Sequence, residues 1–465
     1  MSCNIIYFIL TICLNILGYW CQSQGQNNNY CYAKDDVIHA LFNKYTPYEF
    51  VYYKNKLGKM IDGCIPIHLT MISRSGNHYP GAKTMKKIND IIPTIRSNLQ
   101  KDTDHLCPED ASLMSDYDYE MDENNAKKLT PQGIKDFVNM AERKIRDFPE
   151  IFNRPYSPEL FKFYDGGSRS TKESALALAL GFWKSSDIII EESDSLRLKE
   201  LKETCRGFKH SDDVMKQYKD FFNSDIVAQS VSNINIRLGY SQNNGLTKEE
   251  VNTLFKACGF DTARNLNGKS PYCVPFTPQD LEIFDYLQDL LRYYRYVRGK
   301  QESRTLAYPL LSKIYNCFQK IVSQNGADSN NPIAEFYFPF WGVRNSILAT
   351  LGLINTDTAI NSSGYANEVQ REFKSSQLDP YSSNIDVILY QCENGEKYRV
   401  MIRLQEKPIS LIIDKGAANS NGLYGWQEFS TFIQSLTYSG SNQIASYVST
   451  GSSQLVTYRK YLLKF

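Results

Sequence analysis

The chain has 465 residues, 42% of them hydrophobic, enough to bury a large core either as one big domain with an insertion or as two ordinary domains. Lysine and arginine number 52 against 51 acidic residues, so the overall charge excludes a strongly basic nucleic-acid or membrane-surface binder. Any anion site has to be local.

Residues 5–17 are apolar but shorter than the about 20 residues needed to cross a bilayer. They read as a signal peptide over residues 1–23, with small residues at Cys21-Gln22-Ser23 for cleavage at Ser23. Export follows, without a membrane span, and the final Leu-Leu-Lys-Phe465 is not a retention signal. Removing the segment leaves Cys31, Cys64, Cys107, Cys205, Cys258, Cys273, Cys317 and Cys392. None of their spacings is that of a zinc ribbon or a Cys-x-x-Cys pair, so a disulfide framework in an oxidising compartment is expected, with no metal site and no cofactor.

Residues 24–63 are polar and tyrosine-rich and read as an irregular arm with a helical segment at 36–42. From Cys64 the chain changes character. Ile65, Ile67, Leu69 and Met71 alternate with smaller or polar residues, then Ile72 leads into Ser73-Arg74-Ser75-Gly76-Asn77, the pattern of a buried strand ending in a ligand loop. Lys83, Lys86 and Lys87 follow, on a helix whose Ile88, Ile91, Ile92 and Ile95 recur three and four apart. They either add positive potential to the loop or form a solvated face. The carboxylates between Glu109 and Glu123 suggest a solvated acidic loop, since Met121 and Lys127 stand where a calcium loop needs glycine and glutamate.

Thr130-Pro131 starts a helix with an apolar stripe of Ile134, Phe137, Val138, Ala141, Ile145 and Phe148. A second helix at 170–183 turns Ala175, Leu176, Ala179, Leu180 and Phe182 inward. Residues 185–266 are polar and mostly helical in pattern, and Cys258 and Cys273 flank turn chemistry compatible with a local disulfide. Another helix runs from Thr277-Pro278 to Tyr294, followed by a tyrosine cluster suited to packing. Strands at 384–390 and 398–404 join through Glu393-Asn394-Gly395-Glu396 as a hairpin. Asn361-Ser362-Ser363 is an N-glycosylation sequon, and the stretch from 437 reads as a loose Ser/Tyr-rich tail.

The loop at Arg74, Gly76, Tyr79 and Pro80 resembles the Arg-His-Gly-x-Arg-x-Pro signature of the histidine acid phosphatases, most nearly the multiple inositol polyphosphate phosphatases. The likeness extends over residues 31–435. It includes the Leu-Thr-Pro-x-Gly helix start at Thr130 and a segment, Ile333-Ala334-Glu335, similar to the family's His-Ala-Glu motif. It implies a disulfide between Cys64, ten residues before Arg74, and Cys392, and a helical roof at 185–266. In that family a histidine attacks phosphorus, arginines neutralise the phosphate oxygens, and a carboxylic acid protonates the leaving alcohol. Here Ser75 stands in place of the nucleophile, His78 of a second arginine, Ile333 of the motif histidine and Asp165 of a pocket arginine, while Glu335 is retained as the proton donor.

The resulting expectation is an α/β histidine-phosphatase-like core, a mixed, mainly parallel sheet flanked by helices, at 24–184 and 267–436, with a helical cap at 185–266 and a tail at 437–465. Its function is expected to be that of a secreted pseudophosphatase that binds. Arg74, Asn77 and His78 would hold a small anion such as an inositol phosphate, or the surface would hold a protein partner. The alternative is an active phosphomonoesterase in which Ser75 is the nucleophile and His78 its base. On a third reading Arg74 and His78 only satisfy buried carbonyls or pair with Glu335 or Asp165.

Overall fold

The computed structural model describes residues 30–449 apart from 36–41, 55–60, 62, 100–103, 116–120, 192–211, 242–243, 298–305, 327–330, 355–358, 368–370, 372 and 412–421. The expected signal peptide with Ser23, nearly all of the helical segment at 36–42, Cys205 and residues 450–465 lie outside that set.

The first half contains β1 (Cys64–Ser73), α1 (Ala82–Leu99), α2 (Pro108–Ser115), α3 (Pro131–Asp147), β2 (Phe161–Asp165), α4 (Arg169–Trp183) and β3 (Ile190–Glu191). Helices α5 (Asp212–Phe222), α6 (Asp225–Arg237), α7 (Lys248–Arg264), α8 (Pro278–Arg292) and α9 (Tyr308–Ser323) follow. The chain then returns to the sheet with β4 (Ala334–Phe338), α10 (Trp341–Thr350), β5 (Asn384–Cys392), β6 (Tyr398–Leu404), β7 (Lys407–Ile409) and β8 (Leu423–Gly425), and ends in α11 (Trp426–Ser449).

The strands form one sheet in the order β3-β2-β4-β1-β5-β6-β7, with β8 on β6. β1 to β4 are mutually parallel. β5 is antiparallel to β1 and β6 to β5, so β6 runs with β1 and five of the eight strands share one direction. This is the mixed, mainly parallel sheet that the sequence predicted. From His68 to Ser73 both faces of β1 are covered, whereas Ile65, expected to be buried, is 53% exposed at the strand's amino end. Leu69 and Met71 belong to a cluster with Phe137, Ala175 and Phe336, and Ile72 to the larger cluster on the other side with Leu287, Leu310 and Phe318. Residues of α6 and α7 continue that larger cluster, so the predicted cap region shares the main core.

Several local expectations change in three dimensions. The buried face of α3 is Gly133, Asp136, Phe137, Met140, Ala141 and Lys144, leaving Ile134 40% exposed. The rotation has a steric cause, since a Cβ on Gly133 would lie 2.2 Å from the Asn77 carbonyl oxygen. Leu180 on α4 likewise faces out. The acidic stretch is partly helix α2, where buried Asp110 accepts from Tyr32 N (3.0 Å) and Ala33 N (2.8 Å). The boundary expected at 437 is no break: α11, seated through Phe429 and Ile433, continues to Ser449.

Disulfides join Cys64 to Cys392, Cys258 to Cys273 and Cys31 to Cys107, leaving Cys317 as a free thiol among the described residues. None of the described helices is long and apolar enough to cross a membrane.

Candidate functional site

β1 delivers Arg74 to His78 at the carboxyl end of the parallel strands, and α3 fixes the loop that follows. Asn77 O accepts from Thr130 N at 2.9 Å, His78 bridges to Leu129, and Gly76 N donates to Ser174 Oγ at 3.0 Å. Gly76 has to be glycine because a Cβ there would meet the Phe137 ring at 2.9 Å. The Asn77 side chain is buried with neither its oxygen nor its nitrogen hydrogen-bonded.

Ser75 is buried, and its carbonyl accepts from Ser382 N at 3.2 Å. Among the described residues no base lies within hydrogen-bonding distance of its hydroxyl. His78, the expected base, is half-buried, donates from Nδ1 to Tyr79 O at 2.8 Å and packs against Tyr381 and, from α7, Phe260. Burial pushes its pKa down to about 4, helped by Arg74, Lys44 and Lys127 and opposed by the Tyr79 carbonyl. It is therefore neutral at pH 7.

Around Arg74 lies a group of cations that the sequence did not single out. Arg74 Nη1 donates to the carbonyls of Lys44 (2.7 Å) and Asp379 (2.6 Å), and its guanidinium stacks over Tyr381 at 4.7 Å. The reading that Arg74 satisfies buried carbonyls is thus met at one of its nitrogens. Asp379 accepts from Arg292 Nη1 (3.0 Å), Arg344 Nη1 (3.4 Å) and Asn345 Nδ2 (3.2 Å). Arg292 Nε, Arg344 Nε and Arg344 Nη2 are buried without an acceptor. The half-buried Lys44 ammonium stacks over Tyr45 at 4.8 Å and makes no ion pair among the described residues. Burial, then Arg292 and Arg74, hold its pKa well below the ordinary lysine value, and burial pulls Arg344 down to about 10. Two arginines thus bond the Asp379 carboxylate, Arg74 holds its backbone carbonyl, and the Lys44 amine is part of the same group.

The expected acid is elsewhere. β4 pairs with β1 so that Ala334 lies opposite Leu69 and Glu335 opposite Thr70, four residues before Arg74. At about 3.3 Å per residue that is roughly 13 Å short of the loop. Ile333 sits lower still, its carbonyl accepting from Leu69 N. The structure therefore brings neither Ile333 nor Glu335 to Arg74. The segment at the carboxyl end of β4 is Phe338-Pro339-Phe340-Trp341, which carries no carboxylate, and Trp341 lies beneath the Arg292 guanidinium at 4.4 Å.

Asp165, at the end of β2, accepts from Gly167 N (3.0 Å) and from the Thr171 hydroxyl, so it shapes the turn into α4. Arg169 does not compensate for it, being paired with Glu173 at 2.8 Å. Lys83, Lys86 and Lys87 are exposed on α1, as a solvated face. Lys44, Arg292, Arg344, Asp379 and Tyr381 escaped the sequence reading because they come from separate turns and helix ends with no common spacing.

Comparison with known proteins places this geometry in a family. Residues 67–405 match the model of the histidine phosphatase superfamily (branch 2). The chain is 24% identical over 406 residues to multiple inositol polyphosphate phosphatase 1 of Drosophila melanogaster, covering 83% of this chain and 84% of that protein. It is 24% identical over 400 residues to phytase A of Aspergillus awamori, covering 80% and 83%. Among solved structures it resembles the Bifidobacterium longum multiple inositol polyphosphate phosphatase in complex with inositol hexasulfate, with a TM-score of 0.66, 14% identity and coverage of 85% and 97%. The phytase from D. castellii superposes with a TM-score of 0.67 at 16% identity, covering 89% of each chain. These structural likenesses carry the fold, and the sequence match carries the family: the chain belongs to branch 2 of the histidine phosphatase superfamily.

Proposed function

We propose that this protein is an exported, non-hydrolysing member of its superfamily that binds a small polyanion, of the inositol phosphate class, against Lys44, Arg74 and Arg292. The observation that carries the reading is the pairing of Ser75, which has no base beside it among the described residues, with buried arginine nitrogens that lack an acceptor. A serine hydroxyl without a base or metal is a poor nucleophile, and no carboxylic acid stands at the end of β4 to protonate a leaving group. Buried guanidinium groups with nitrogens left unbonded favour an anion, because water there screens little. Relatives support the ligand class: one neighbour was solved with inositol hexasulfate and another form of it with phosphate. Three disulfides and the sequon at Asn361, in a turn where Ser363 N donates to the Asn361 side-chain oxygen at 3.1 Å, support export and glycosylation.

The test pairs binding with turnover. Inositol hexakisphosphate at a hundred times its Kd would stabilise the chain by about 2.7 kcal/mol in thermal melts. That shift is expected in the native chain and lost in Lys44→Ala/Arg292→Leu. Release of phosphate from phytate or a chromogenic ester is expected to equal that of Ser75→Ala. Release that Ser75→Ala abolishes would instead establish the phosphomonoesterase reading, and an unchanged melt would leave a protein partner as the occupant of the cleft or cap.

A further inference from the structure

Beneath the Arg74 end of the sheet, on the face covered by α9, three metal-ligating side chains from three elements meet. They are His68 of β1, Glu335 of β4 and Cys317 of α9, with their donor atoms all within 4.8 Å of one another. His68 Nε2 lies 3.7 Å from Glu335 Oε2 and 3.8 Å from Cys317 Sγ. A tetrahedral zinc centre, with bonds of about 2.0–2.1 Å to nitrogen, 2.0–2.2 Å to oxygen and 2.3 Å to sulfur, separates its ligands by roughly 3.3–3.6 Å. The two separations from His68 exceed this by a few tenths of an ångström, and the third, from Cys317 to Glu335, lies within 4.8 Å.

We propose that His68, Cys317 and Glu335 form a binding site for a divalent transition metal of zinc-like preference. The surroundings are arranged as those of a ligand set. His68 Nδ1 is 2.7 Å from the Pro332 carbonyl, which can only accept, so the proton resides on Nδ1 and the Nε2 lone pair faces the cluster. Thr70 Oγ1, 3.1 Å from Nε2, donates to that lone pair and has only to rotate its hydrogen away. Glu335 Oε1 accepts from Tyr337 (2.9 Å) and Tyr164 (3.4 Å), which orients the carboxylate.

A second observation points to an occupant: Glu335 Oε2 is buried and accepts no hydrogen bond of good geometry, its only polar neighbours among the described residues being the other two members of the cluster, the His68 ring at 3.7 Å and the Cys317 thiol. An unpartnered buried carboxylate oxygen is costly, and a cation removes that cost. Imidazole, thiolate and carboxylate are together a zinc-type donor set, with the fourth position left to water. Cys317 is half-buried, so an ion has a way in, and its binding releases the thiol proton to solvent. The site ties α9 to the two central strands, a structural role independent of whether the cleft above binds an anion.

The test uses the full exported chain, stripped with a chelator and then titrated with Co²⁺ and Zn²⁺. One equivalent of Co²⁺ per chain is expected to give a thiolate-to-cobalt charge-transfer band that Zn²⁺ displaces, and Zn²⁺ is expected to raise the melting temperature. Cys317→Ser removes the band. Glu335→Gln weakens binding at least tenfold with unchanged far-ultraviolet dichroism, and His105→Ala, at an exposed histidine, leaves it intact. In the native chain Zn²⁺ should also slow alkylation of Cys317 at least tenfold, a readout that needs no variant. A band that survives in Cys317→Ser, alkylation indifferent to Zn²⁺, or a disulfide on Cys317 in the peptide map would overturn the site.

Discussion

Protonating His78 would add a positive charge beside Arg74, Lys44 and Lys127, in a position where Nδ1 is already committed to Tyr79 and the ring is packed on Phe260 and Tyr381. Its folded pKa of about 4 lies below the free value of about 6.5. Between those values the unfolded chain binds a proton that the folded chain refuses, so stability rises with pH there. The contribution is whole above pH about 6.5 and is lost as pH falls through about 4. His78→Gln should therefore flatten the melting-temperature profile between pH 6.5 and 4 while leaving it unchanged at pH 8. An equally steep profile in the variant would assign the pH dependence to other groups.

At the scale of elements, the loop after β1 and the first turn of α3 form one unit. Thr130 caps the helix, its hydroxyl accepting from Gly133 N at 3.1 Å, and the same turn holds the Asn77 carbonyl. Because Gly133 faces that carbonyl with no room for a Cβ, Gly133→Ala should cost about 3 kcal/mol, read as a lower urea midpoint at constant slope, and should loosen the Arg74 loop with it. Part of this junction was legible in advance, since Thr130-Pro131 signals a helix start, whereas the close approach at Gly76 was not. Nor was the depth of Glu335. A motif gives the order of residues, whereas the position of an acid along a parallel strand depends on register, here Leu69 against Ala334, which no local pattern encodes. The cations around Asp379 were hidden for a related reason, as burial and long-range pairing alone bring Lys44, Arg292 and Arg344 together. So too the His68, Cys317 and Glu335 cluster, whose members are 249 and 18 residues apart along the chain.

At the scale of the whole molecule, β1 is the seam between two differently built halves of the sheet, with parallel β4 on one side and antiparallel β5 on the other. Cys64 and Cys392 are register partners at the amino end of that seam, closing a loop of 328 residues. Removing so long a cross-link frees the unfolded chain far more than it disturbs the native one, so Cys64→Ser/Cys392→Ser should lose about 2–5 kcal/mol. Arg74 leaves the opposite end of the same ten-residue strand, roughly 33 Å away along it. The loop there is held by α3, by Ser383 and by Ser174, none of which depends on the disulfide. The double variant should therefore melt earlier yet keep its full stabilisation by inositol hexakisphosphate, measured as the difference between liganded and unliganded melts. Loss of that difference along with the disulfide would mean that the seam sets the geometry of the cation cluster, and that β1 transmits strain from one end of the sheet to the other instead of isolating the two ends.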